Sequence, residues 1–135
     1  MWERYVVAAM FLTLIPSMFF ITFMFGLVIF LVYRREYHYL TYHSLLAALW
    51  QLCFWTIHGI FTFLSRHVGT HNPSFVFSPA QWGHLSQTGQ LVMAILLASI
   101  VLNFLIALWG ALLTLNGYKV RLPLLSAICD KMMPR

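Results

Sequence analysis

Charge is what this 135-residue chain has least of: eight Lys and Arg stand against three Asp and Glu, together 8% of the residues, while 61% are hydrophobic. A soluble domain carries about 25% charged residues, so there is too little charge here to cover a water-facing surface. The acidic residues Glu3, Glu36 and Asp130 are widely separated, which leaves no paired carboxylates for general acid–base work. There is no Ser/His/acid set at recognisable spacing and no glycine-rich phosphate loop. The two cysteines, Cys53 and Cys129, have no metal-ligand spacing and suggest no disulfide framework. The basic residues are scattered rather than clustered, which argues against a nucleic-acid footprint. No charged residue lies inside a long apolar run to mark an ion or proton pathway.

What the chain does have is length without charge. No Asp, Glu, Lys or Arg occurs from Tyr5 to Tyr33, from Tyr37 to Ser65, or from His67 to Tyr118. Spanning the hydrocarbon takes about 20 apolar residues. The pattern predicts an all-α, polytopic helical membrane protein, one membrane domain over 1–135. Its spans lie near 8–33, 41–64 and 88–115, with an outer loop at 66–87 and a cytoplasmic surface tail at 117–135. The first run is too long for the roughly 7–15-residue core of a signal peptide and reads as an uncleaved span. It also exceeds what a bilayer needs, so it tilts, kinks or re-enters at Pro16, where proline removes a backbone hydrogen bond. Thr13 and Ser17 stand where they can satisfy the freed groups.

Three spans put Arg34, Arg35, Lys119, Arg121, Lys131 and Arg135 on one side and Arg4 and Arg66 on the other. That asymmetry predicts a cytoplasmic C-terminus and an outward N-terminus; a re-entrant first run would instead bring the N-terminus inside. Attraction of the basic residues to anionic lipid fits their juxtamembrane positions. Tyr33, Tyr37, Tyr39 and Tyr42 crowd the first turn as interfacial anchors.

Polar residues inside the spans are the candidate functional positions. On the second span His43, Ala47, Gln51, Phe54 and His58 share a helix face; on the third, Ser99, Asn103, Ala107, Gly110 and Thr114 do. Small and hydrogen-bonding residues on one side let membrane helices approach and bond, so the latter face is expected to pack against the first hairpin. Asn116-Gly117 ends that span as a C-terminal cap, Lys119 and Arg121 follow at the membrane exit, and Pro123 stops continuation. Beyond it, Leu124, Leu125, Ile128 and Met132 form a stripe opposite Asp130 and Lys131, as in a helix lying on the membrane surface.

The six histidines raise two cofactor alternatives, neither favoured. His58 and His84 are the conceivable ligands of an outer haem. His67 and His71, with His84, form a conceivable three-histidine metal site. No cofactor is expected; interior hydrogen bonding explains the histidines better.

Two stretches carry a family resemblance. FLVYRREYHYLTYHSLLAALWQL, residues 30–52, combines a span end, a charged turn, and a histidine followed by an alanine-rich helix with a glutamine; His43, Ala47 and Gln51 carry the match. WGALLTLNGYKVRLPLL, residues 109–125, combines a small-residue helix, Asn116-Gly117, a basic-aromatic turn and Pro123. Together they resemble the Tic-twenty-like family of small helical membrane proteins, the chloroplast inner-envelope import component and its bacterial relatives. The resemblance implies a non-enzymatic protein acting by association: an accessory or scaffold subunit in protein translocation or membrane-protein assembly. It would sit in a bacterial inner membrane or an organelle inner membrane, with lipid and other membrane proteins, in a hetero- or homo-oligomer. The alternatives are a haem- or metal-binding redox anchor and a small peptide or solute channel.

Overall fold

The structure, a computed structural model, describes residues 1–14, 19–33, 35–67 and 78–133. Every regular element among them is helical. Helices α1 (Trp2–Leu12), α2 (Phe19–Tyr33) and α3 (His38–His67) are followed by a 3-10 helix (Pro79–His84), then α4 (Gln87–Leu115) and α5 (Leu125–Met132). Two helices, α3 and α4, are long and apolar enough to cross a membrane. Their contacts divide the chain into two units, residues 1–53 with 103–135, and residues 54–102.

The expected first span does not form one helix among the described residues. Helix α1 stops at Leu12, where Thr13 N–H bonds back to Ala9 O at 3.0 Å and the Thr13 hydroxyl donates to Met10 O at 2.7 Å. Residues 15–18, with Pro16 and Ser17, lie outside the described residues. At 1.5 Å per residue α1 and α2 reach only about 16 and 22 Å, against about 30 Å of hydrocarbon.

Helices α1 and α2 pair antiparallel. The Thr22 hydroxyl donates to Thr13, 2.6 Å from its carbonyl and 2.8 Å from its hydroxyl. Farther along, a Cβ at Gly26 would stand 3.4 Å from the Met10 methyl. At the open end Trp2 meets Tyr37 edge-on, ring centres 5.6 Å apart. Glycine is required at 26 because a Cβ there would come 2.7 Å from Ser44 O on α3. The Ser44 hydroxyl in turn bonds Leu40 O at 2.7 Å and faces Met10 Sδ at 3.4 Å, so α1, α2 and α3 meet there with little side-chain bulk between them.

This pairing corrects the expected orientation of the N-terminus. Arg4 was expected opposite Lys119, yet its guanidinium lies against Gly117 at the exit of α4. Within this unit the N-terminus, the α2–α3 turn and the α4 exit share one end. Arg4, Arg35, Lys119 and Arg121 belong to those segments, whereas Arg66 is in the last turn of α3.

The core of this unit joins Val7, Phe11, Leu14, Leu40, Leu46 and Ala47 with Ala107, Ala111, Val120 and Cys129. In lipid, burying leucine against protein gains little over leaving it against acyl chains, so close packing and interhelical hydrogen bonds carry the specificity. Gly110 supplies the closest approach: Phe11 lies over it so tightly that an added Cβ would overlap the ring.

In the second unit Val92, Met93 and Leu96 of α4 pack with Phe61 of α3 and with Trp82 and Leu85. Ser86 caps α4 by accepting from Gly89 N–H at 3.2 Å, the usual role of a serine before a helix. Pro79 opens the 3-10 helix, where its missing N–H is harmless.

Candidate functional site

The polar side chains of the first unit gather in two places, a buried clamp and a latch at the basic end. The clamp centres on Asn103, which is fully buried on α4. Its amide nitrogen donates to the carbonyl of Leu14, beyond the end of α1. Its oxygen accepts from Trp50 Nε1 on α3 at 2.8 Å. One side chain thus ties α4 to α3 and to the segment just past the end of α1.

The latch fastens the segment after α4 onto α3. His43 donates from Nδ1 to Tyr39 O at 2.8 Å, and its Nε2 accepts the Val120 N–H at 3.1 Å. Accepting at Nε2 while donating at Nδ1 requires the neutral imidazole protonated on Nδ1. The Tyr42 hydroxyl donates to Val120 O at 3.2 Å, so both backbone groups of Val120 are held by α3 side chains. The Tyr39 hydroxyl lies 3.2 Å from Thr114 O in the last turn of α4 and 3.3 Å from Tyr118 O just past it.

Helix α4 ends in a Schellman motif. Tyr118 N–H bonds Leu113 O at 2.9 Å, Gly117 N–H bonds Thr114 O at 3.0 Å, and Gly117 takes φ +78°, the left-handed cap conformation. The Arg4 guanidinium beside Gly117 meets the negative end of the α4 dipole. The Asn116 amide donates to Leu112 O at 2.8 Å.

Two open hollows flank Tyr39. One, about 350 Å³, is lined by His38, Tyr39, Tyr42, His43, Lys119, Asp130 and Met133. There Lys119 Nζ lies 3.0 Å from Asp130 and 3.8 Å over the centre of the Tyr42 ring. The other, about 290 Å³, is bordered by Glu3, Arg4 and Gly117. Lys119 and Asp130 stand on the wall of the first, Arg4 and Glu3 on the wall of the second.

The tail departs from the expected four-residue stripe. Leu124 precedes α5 in a γ-turn with φ 65° and ψ −52°, closed by Leu125 N–H to Pro123 O at 2.7 Å. This rare backbone conformation turns its side chain outward. Leu124, Ile128 and Met132 are exposed, while Leu125 is partly buried against the core. Cys129 faces inward and is buried; that burial, reinforced by Asp130, pushes its thiol up to about 11.

The remaining sequence candidates fall elsewhere. Gln51 is fully buried on α3, and neither amide atom has a hydrogen-bond partner among the described residues. Thr114 bonds within its own helix, to Gly110 O at 2.8 Å and Ala111 O at 3.0 Å. Ser99 belongs to the second unit and donates to Leu96 O on α4 itself. Arg121 and Pro123 are exposed at the exit.

His58 stacks on Phe54 with ring centres 5.4 Å apart. The hollow beside it is lined by α3 residues, and His84, which is exposed, is not among them. His67 donates from Nδ1 to Phe63 O at 3.0 Å, and His71 lies outside the described residues. Among the described residues no cluster of His, Cys, Asp and Glu suits a metal.

Arg4, Trp50 and Leu14 are the participants that sequence patterns missed. Tyr39 and Tyr42 stood out as interfacial anchors, but their hydroxyls bond backbone groups after the middle of α4. No protein-family model, curated protein or solved structure matches the chain.

Proposed function

We propose that the chain is a non-enzymatic accessory or scaffold subunit of a membrane assembly, acting in protein translocation or membrane-protein assembly. The Asn103 clamp carries this reading. The chain's strongest polar side chains hold its own helices: Asn103 bonds Leu14 and Trp50, and both ring nitrogens of His43 are bound. A core fastened in this way presents apolar outer faces, with Phe25 and Val28 exposed on α2 and Phe104, Leu108 and Leu112 on α4. Such faces suit lipid and neighbouring membrane helices, and the work of the protein is then to be held beside partners.

In this reading the basic end faces the cytoplasm, since Lys and Arg concentrate on that side of membrane proteins. The α1–α2 hairpin enters the bilayer from that face beside the two spans α3 and α4. The resemblance to the Tic-twenty-like family in residues 30–52 and 109–125 supports the same class of role.

The test is to tag the C-terminus, extract the protein from its native membrane in mild detergent, and identify what co-purifies. Translocase components or nascent membrane proteins recovered reproducibly support the assignment. Recovery of the chain alone at native abundance overturns it.

A further inference from the structure

Gly59 lies in the interior of α3, and among the described residues nothing from outside its own helix turn comes within 4 Å of where its Cβ would stand. Glycine weakens a helix interior relative to alanine, and elsewhere in the fold that weakness has a visible reason. Gly26 admits the Ser44 carbonyl and Gly110 admits Phe11; Gly59 admits no neighbour among the described residues.

The space over it is a hollow of about 330 Å³ lined by Trp55, His58, Gly59, Thr62, Phe63 and Arg66. All six belong to α3, so the hollow is a notch in one helix face, bounded by aromatic rings one turn above and below a glycine floor. His58 Nδ1 is enclosed there with no hydrogen-bond partner among the described residues.

We propose that this notch is a phospholipid site: an acyl chain lies over Gly59 between Trp55 and Phe63, and the lipid phosphate meets Arg66. The dimensions and the charge point to this occupant. From Arg66 down to Trp55 the helix runs about 16 Å, close to half of the ~30 Å hydrocarbon core and therefore one leaflet deep. Arg66 is in the last turn of α3, and a guanidinium offers phosphate a planar pair of N–H donors. The Thr62 hydroxyl lies about 6 Å below Arg66 along the helix, at the depth of the glycerol esters. A second copy docking in parallel on this face would set Arg66 against Arg66. The assignment rests on α3 crossing the bilayer and not on the assembly role.

The experiment uses the full-length protein reconstituted in phosphatidylcholine nanodiscs containing a minority of phosphatidylglycerol, then released for native mass spectrometry. The wild type is expected to retain one phospholipid per chain, enriched in phosphatidylglycerol. Gly59→Leu fills the notch without meeting the other described residues and is expected to lose the bound lipid with no fall in thermal midpoint. Arg66→Gln is expected to keep a bound lipid and lose the preference for phosphatidylglycerol. Equal lipid retention by wild type and Gly59→Leu overturns the site, as does a wild type that carries no lipid. A Gly59→Leu chain that changes from dimer to monomer overturns it in favour of a second copy. One that fails to fold overturns it too, because the chain itself would then fill the space.

Discussion

Asn103 donates its side-chain amide to the carbonyl of Leu14, joining α4 to the chain just beyond α1. Sequence separation makes this contact informative: it fixes the chain just beyond α1 against the middle of α4, the more apolar of the two long helices. Replacing Asn103 by Leu removes that donor and also strands Trp50 Nε1, which the Asn103 oxygen accepts at 2.8 Å. Each stranded buried group costs about 1–3 kcal/mol, reduced toward ~0.6–2 kcal/mol in a membrane, where an unfolded helix still finds partners. Asn103→Leu should therefore insert normally and lose about 2 kcal/mol, read as an earlier unfolding midpoint in a mild-to-denaturing detergent titration. An unchanged midpoint would mean that the clamp does not hold the hairpin.

Gly110 and Phe11 make a steric prediction that is independent of hydrogen bonding. A Cβ at 110 would overlap the Phe11 ring, and overpacking of this kind costs about 1–3 kcal/mol. Gly110→Ala should be destabilising despite alanine's better helix propensity. Phe11→Leu should recover part of that loss, because a smaller side chain leaves room for the new methyl. Additive losses in the two single variants and the double variant would show that the residues are not in contact.

The two long helices were legible because the bilayer sets a minimum length free of charge. The uncharged runs placed spans near 41–64 and 88–115, and the structure has helices at His38–His67 and Gln87–Leu115. Gly117 was legible as a cap because few other residues take its positive φ cheaply. The α1–α2 hairpin was legible only as one alternative, which Pro16 permits: from Tyr5 to Tyr33 the chain is uncharged, so periodicity does not choose between re-entry and one long tilted or kinked helix. What distinguishes a hairpin from one long helix is the Thr22 to Thr13 bond and the Arg4 contact at Gly117, and both are tertiary. The His43 latch was half legible: histidine on an inward face needs a partner, but its partner is a backbone N–H at Val120, which no residue letter displays.

Gln51 gives a prediction of the opposite sign. Its amide is fully buried without a partner among the described residues, and an unsatisfied buried polar group costs about 1–3 kcal/mol. Gln51→Met keeps the length and removes the polar atoms, so it should stabilise the fold by about 1 kcal/mol or more. Thermal unfolding in one detergent, wild type against variant, measures this directly. A lower midpoint for Gln51→Met would show that the amide is bonded in the folded protein.

Cys129 reports on whether the latch holds the tail. Its thiol is buried against the core and pushed up from 9.0 to about 11, and only the thiolate reacts. In a Cys53→Ser background, maleimide labelling should be slow at neutral pH and keep accelerating as pH rises past 9.0 toward about 11. An exposed thiol would level off near the ordinary value of 9.0. His43→Ala removes the acceptor for Val120 N–H, loosening the segment that carries α5 and exposing the thiol to water. Deprotonation then becomes easier, so labelling at pH 8 should speed up by about tenfold or more, the change expected from a pKa falling by about one unit or more. The levelling-off should move to lower pH at the same time. If His43→Ala leaves both the rate and its pH profile unchanged, Val120 is not what holds α5 against the helices.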